Sequence, residues 1–373
     1  MIKGKVRKFF PGGNTCRGFY SYYDYIIKPD ATRILVIKGG PGVGKSTFMR
    51  KIGEEMRERG YDIEYHCCSS DNGSIDGVVI PDIGVALIDG TAPHVVDPKN
   101  PGAVDEIIHL GDFWNEDLLR ANKENVLNSN RRVGRLFQIA YCQLAEAKVI
   151  KDEMESYVTE SQNFALVNRA TADLLQGIFG RVTPQYEQEP RDRHLFASAI
   201  SPEGVVNHIG TLLQDITQIY VIKGMPGTGR STLVKKIAGE AHALGLDTEV
   251  YHCAFEPEEI DLVVIPSLQA AVLKNVAEVG FDPGVLSNVK VTRIDLDEFV
   301  NRRVLDVYSV ELMSAKERFA AALNRAIRYI SDAKLTHDYM ESFYIPAMDF
   351  DAIEQKRRET LKRILQYAEE VEV

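Results

Sequence analysis

The order of apolar and polar positions along the chain follows one pattern twice. A short run rich in Ile and Val, Arg33–Lys38, stops at glycine and predicts a strand, and Gln218–Lys223 does the same later. After each run, apolar residues recur at helical spacing: Phe48, Ile52 and Met56 within 46–59, then Leu233 and Ile237 within 231–244. Gly60 and Gly245 stand where a helix C-cap glycine belongs. Further strands are predicted to end at Tyr65-His66-Cys67 and Tyr251-His252-Cys253, near Ile88 and Leu273, with a fourth around 107–110. Strands alternating with helices predict an α/β fold with a parallel, three-layer sheet in each half. Beyond them, 114–164 and 302–343 are long charged stretches with helical periodicity. Leu312, Phe319, Leu323, Ala326, Ile330 and Ala333 form one apolar stripe in the second. A stripe of that width predicts packing surface, so each stretch is expected to form a helical hairpin.

The repetition holds residue by residue. Ile37-Lys38-Gly39-Gly40-Pro41-Gly42-Val43-Gly44-Lys45-Ser46-Thr47 recurs as Ile222-Lys223-Gly224-Met225-Pro226-Gly227-Thr228-Gly229-Arg230-Ser231-Thr232. Ile75-Asp76 and Val78-Val79-Ile80-Pro81 return as Ile260-Asp261 and Val263-Val264-Ile265-Pro266, and Phe113 and Asn115 as Phe299 and Asn301. Late in each half, Asp152 and Met154-Glu155-Ser156 match Asp338 and Met340-Glu341-Ser342. Matches across a whole half indicate duplication of a complete domain. The expected division is 1–189 and 190–373, with the junction in the polar, Pro-containing stretch 183–193.

The first repeat contains Gly39-x-x-x-x-Gly44-Lys45-Ser46, the Walker A pattern. Its glycines let consecutive backbone N–H groups turn toward phosphates at a helix N-terminus. Lys45 is placed to reach the β- and γ-phosphates, and the Ser46 hydroxyl to ligate magnesium. Residues 39–47 (Gly39, Gly40, Pro41, Gly42, Val43, Gly44, Lys45, Ser46 and Thr47) are therefore the expected nucleotide cradle. Val85-Ala86-Leu87-Ile88-Asp89 fits a Walker B strand, four apolar residues and then a carboxylate for the metal shell.

The second repeat acts as an internal control. Gly224, Gly227, Gly229, Ser231 and Thr232 persist, but Lys45 becomes Arg230 and Asp89 becomes Lys274. A planar guanidinium does not replace a compact ammonium, and a lysine opposes a metal. This half is expected to be degenerate, with weak nucleotide binding left open. His66 and Cys67 persist as His252 and Cys253, and Asp76 as Asp261, which favours structural roles for all of them. Lys45, Asp89, Thr91 and His94 occur only with the intact motif and are the better catalytic candidates. Asp71 and Asp112 follow strand ends and could orient a water or an acceptor hydroxyl. Phe9, Phe10, Phe19, Tyr20, Tyr22, Tyr23 and Tyr25 could stack on adenine, though packing is the simpler expectation. Arg131, Arg132 and Arg135 could act as an arginine finger, against a solvated helix face.

At these residues the chain resembles the P-loop NTPase superfamily, and its duplicated layout resembles a bacterial family of tandem-P-loop ATP-binding proteins. The resemblance implies ATP or GTP with Mg²⁺ at 39–47 and Asp89. No glutamate follows Asp89, and no N-K-x-D guanine signature is evident; the second point favours ATP. Three functions follow as expectations: an ATPase with a regulatory second half, a kinase acting on a small acceptor, or a non-catalytic nucleotide sensor. The acceptor or protein partner and any homo-oligomer are left open. A net charge of −10 and pI near 5.4 weigh against nucleic acid as the partner. The start, 1–10, carries basic residues with no apolar run behind them, and no window is apolar enough to span a membrane. Five cysteines without a C-x-x-C pair read as reduced thiols, so a cytoplasmic location is expected.

Overall fold

The computed structural model describes residues 2–91, 95–187 and 189–371. Each half of the sequence builds a six-stranded sheet. The first runs in the order Val6–Phe9, Ile63–Cys67, Ile75–Ile80, Val85–Asp89, Arg33–Lys38, Asp105–His109. The second repeats it in reverse listing: Lys290–Asp295, Gln218–Lys223, Ala270–Lys274, Ile260–Ile265, Thr248–His252, Asp192–Phe196.

The sheets are mixed, which corrects the expectation of parallel ones. Ile75–Ile80 pairs antiparallel with both Ile63–Cys67 and Val85–Asp89, and Ile260–Ile265 does the same in its sheet. The cause is connection length. Only a 3-10 turn, Pro81–Ile83, and Gly84 at φ +63° separate Ile80 from Val85. Such a link closes a hairpin, whereas a parallel return needs a crossover of about a dozen residues. Arg33–Lys38 keeps parallel neighbours on both sides, Val85–Asp89 and Asp105–His109. The expected helical hairpins are also replaced. With no turn signal strong enough to break it, the first stretch forms one continuous helix, Lys123–Ser161, followed by Phe164–Phe179. The second forms Ser309–Tyr344, followed by Phe350–Val371.

Compactness groups the chain differently from its sequence halves. One unit comprises Met1–Gly12, Ser21–Ile139 and Tyr329–Val373, and the other Gly13–Tyr20 and Ala140–Arg328. Each long helix thus starts in one unit and ends in the other. In the first unit, Lys45–Glu58 buries Phe48, Met49, Ile52 and Met56 against Ile63, Val78, Ile80 and Leu87 of the sheet. Ile353, Leu361, Ile364 and Ala368 of Phe350–Val371 complete that core. In the second unit, Leu233, Val234 and Ile237 of Arg230–Ala243 pack with Val167, Leu174 and Phe179 of Phe164–Phe179. Each unit's core is therefore finished by a helix from the other half of the sequence.

Ile364 is fully buried, so Ile364→Ala is expected to destabilise the first unit by about 2–5 kcal/mol. Amide exchange should quicken in Arg33–Lys38 and Val85–Asp89 while Gln218–Lys223 keeps its protection. Equal loosening of both sheets would contradict this assignment of the last helix.

Candidate functional site

The first glycine-rich loop leaves the strand Arg33–Lys38 and opens the helix Lys45–Glu58 without a side-chain cap. Gly42 at φ +67° and Gly44 at φ +85° take the left-handed turn that L side chains resist. At Gly39 a Cβ would come within 2.8 Å of Val43, so the loop also closes on itself. Ile37 pairs in register with Asp89, which sets that carboxylate beside the loop's entry.

The charged groups meet there. Lys45 Nζ donates to the Gly40 carbonyl at 2.8 Å and to that of Gly39 at 3.3 Å, and lies 3.6 Å from Asp89 Oδ2. Asp89 Oδ1 accepts from the Thr91 amide at 2.9 Å and from the Thr91 hydroxyl. Ser46 Oγ accepts from the Ile75 amide at 3.0 Å. Lys45, Asp89, Thr91 and Ser46 are thus brought together. Asp71 is held elsewhere: its Oδ1 accepts from the Gly73 amide, and its Oδ2 lies 3.4 Å from Lys334 Nζ. Asp112 is exposed and bonds His109 Nδ1 at 2.8 Å. His94 lies outside the described residues.

Four residues at the loop carry no signal in the local motif. Lys38 Nζ donates to the Gly90 and Val96 carbonyls, each at 2.8 Å. Tyr23 donates to buried Asp76 at 2.7 Å, and burial, with Asp76 and Asp89 nearby, raises its phenol well above the ordinary value. Glu341 Oε1 accepts from the Gly42 amide at 3.0 Å, and the Tyr344 ring stands over Gly40. The repeat of Met154-Glu155-Ser156 as Met340-Glu341-Ser342 is the sequence trace of this cover.

In the aromatic segment Phe9, Phe10 and Tyr23 are buried, with Phe9 stacked on His66 at 5.3 Å, while Phe19, Tyr20, Tyr22 and Tyr25 are half-buried. Arg131 bonds Asn128 on the helix surface, and Arg132 and Arg135 are exposed. Burial pushes the Cys67 and Cys253 thiols up to about 11, which suits inert core residues.

At the second loop, Gly227 at φ +88° and Gly229 at φ +94° repeat the turn. The charges are inverted. Lys274 Nζ lies 2.6 Å from Asp261 Oδ1 and donates to Ser231 Oγ at 3.3 Å. Burial alone would lower this lysine, but Asp261 beside it holds the ammonium above its usual value. Arg230 turns to the Asn275 carbonyl at 2.7 Å. The hydroxyl and carboxylate at Ser46 and Asp89 suit a hard cation. In the second unit an ammonium already contacts the matching hydroxyl.

Residues 14–77 match the family model described as nephrocystin 3, N-terminal, a stretch that holds the first loop and its helix but not Asp89. No curated protein and no solved structure matches the chain. Among the described residues, no helix is long and apolar enough to cross a membrane.

Lys274→Ala would leave Asp261 buried without its ion-pair partner, and is expected to destabilise the second unit by about 3–5 kcal/mol in chemical denaturation. His252 offers a pH test. Burial, and then His194 at 2.9 Å, lower its pKa to about 4. The unfolded chain takes up a proton below about 6.5 that the folded unit refuses, so stability should fall as pH drops from about 6.5 toward 4. The loss is on the order of 3 kcal/mol, and thermal melts of His252→Asn should show a flatter pH dependence across that window.

Proposed function

We propose that the chain is a tandem P-loop protein whose first unit binds Mg·ATP at 39–47 and hydrolyses it, with a degenerate, regulatory second unit. The observation that carries this reading is the 3.6 Å approach of Lys45 to Asp89, beside a loop turned by two left-handed glycines at a helix start. Outward amides and the helix dipole favour phosphate there. Lys45 donates to two carbonyls of its own loop and stands 3.6 Å from Asp89, and a phosphate oxygen could take the place of those carbonyls. Ser46 and Asp89 would hold magnesium, whose contribution is to neutralise charge on the phosphates. Thr91 fixes one Asp89 oxygen and leaves the other facing Lys45.

Asp71 and Asp112, which could orient a water or an acceptor hydroxyl, are engaged by Lys334 and His109, so the hydrolysis reading rests on Lys45 and Asp89. The second unit is read as degenerate because Lys274 occupies the cation's side of Ser231.

Steady-state ATP hydrolysis with Mg²⁺ tests the assignment. Lys45→Ala and Asp89→Ala are each expected to lower turnover by at least about 100-fold, and Arg230→Ala by less than about threefold. Equal losses at Lys45 and Arg230 would defeat the asymmetry. Tight binding without turnover in the wild type would move the assignment to a nucleotide sensor.

A further inference from the structure

We propose that Glu341 is a built-in competitor for the phosphate position of the first loop, so that nucleotide enters by displacing a carboxylate. The proposal rests on the nucleotide reading above and adds how that site is controlled. The Gly42 amide is one of the donors that the glycine turn aims outward, and Glu341 Oε1 accepts from it at 3.0 Å. A carboxylate on such an amide presents the loop with the same kind of partner as a phosphate oxygen: an anion accepting from backbone N–H. A polyphosphate laid along the loop needs that donor, and its charge would repel Glu341. Carboxylate and phosphate therefore exclude each other.

The surroundings suit exchange. Glu341 is 30% exposed, so it has a route to solvent, and His337 stands 3.6 Å away as a second partner on the same helix face. Around it, the Tyr344 ring lies over Gly40, while Ile345 lies over Gly42 and Phe350 over Gly44. These side chains form walls and meet the loop through carbon atoms. Glu341 is the charged group that the cover places on a loop amide.

The second unit shows what a permanent cover looks like. There the backbone carbonyl of Glu155 presses on Gly227, where a Cβ would lie 2.5 Å from it. The Glu155 side chain turns instead to Lys151 at 3.4 Å. Thr159 donates to the Gly227 carbonyl at 3.3 Å, and Gln162 to those of Thr228 at 3.0 Å and Leu296 at 3.1 Å. These bonds end on carbonyls, which no phosphate can replace. At the matching positions the first unit has Ile345 and Met348, and neither side chain can donate. The first cover has lost the neutral ties and keeps an anion on the donor that nucleotide requires.

The test is calorimetric titration of the full chain with Mg·ATP, with adenosine as the phosphate-free control. Wild type, Glu341→Gln and Glu341→Ala are compared, each with and without Lys45→Ala. Glu341→Ala is expected to bind ATP about tenfold more tightly or better, with Glu341→Gln in between and adenosine unchanged. Binding that depends on Lys45 but is unchanged or weaker in Glu341→Ala would overturn the competitor and leave the nucleotide reading standing. Absence of ATP binding in every chain, Glu341→Ala included, would overturn both.

Discussion

An uncapped helix start preceded by left-handed glycines leaves backbone amides facing outward, and those amides need acceptors. The first unit is arranged around that need. Arg33–Lys38 delivers the loop between two parallel strands, so Asp89 arrives at the loop's entry by register and not by chance. Lys38 bonds the Gly90 carbonyl next to Asp89, and Thr91 fixes the carboxylate itself. The far end of Ser309–Tyr344 then brings Glu341 to the Gly42 amide. Removing the turn at Gly42 and Gly44 would leave each of these placements without a purpose.

The two units share a backbone plan and differ in the sign of one group, half-buried Asp89 in the first and buried Lys274 in the second. Around the first loop, Lys45 faces Asp89, with Asp76 held by the Tyr23 hydroxyl nearby. Around the second, Lys274 and Arg230 share the space with Asp261. The first arrangement has carboxylate to spare for a cation, while the second supplies its own. A lysine cannot simply be added to such a site, because a buried ammonium costs several kcal/mol unless a carboxylate pairs with it. Asp261 meets that condition, 2.6 Å from Lys274.

Much of this was legible in the chain. Strand Arg33–Lys38, the helix apolar faces and the capping glycines Gly60 and Gly245, at φ +102° and +75°, follow from local periodicity and turn chemistry. The antiparallel strand Ile75–Ile80 was less visible, since its apolar run is too short to reveal direction; the four-residue link to Val85 decides it. That Lys45, Ser46, Asp89 and Thr91 come together was legible because their placement depends on neighbours close in sequence or on strand register. Glu341 and Tyr344 were not. They reach the loop from nearly 300 positions away, and nothing in helical periodicity says which end of a long helix meets which loop.

That long-range supply ties each half of the sequence to the fold of the other. The first unit's core includes Ile353, Leu361, Ile364 and Ala368, and its loop is covered by Glu341 and Tyr344, all from the second half of the sequence. The second unit in turn takes Val167, Leu174 and Phe179 from the first half. A chain cut near Pro190 would leave Met49, Ile52 and Met56 without the helix that packs on their cluster, and burying such side chains contributes about 1.5–3 kcal/mol each. The fold of the first unit therefore requires the second half of the sequence, whatever the chemistry of that half's own loop. What the first unit draws from that half is its helices, Phe350–Val371 and the end of Ser309–Tyr344, and not its loop.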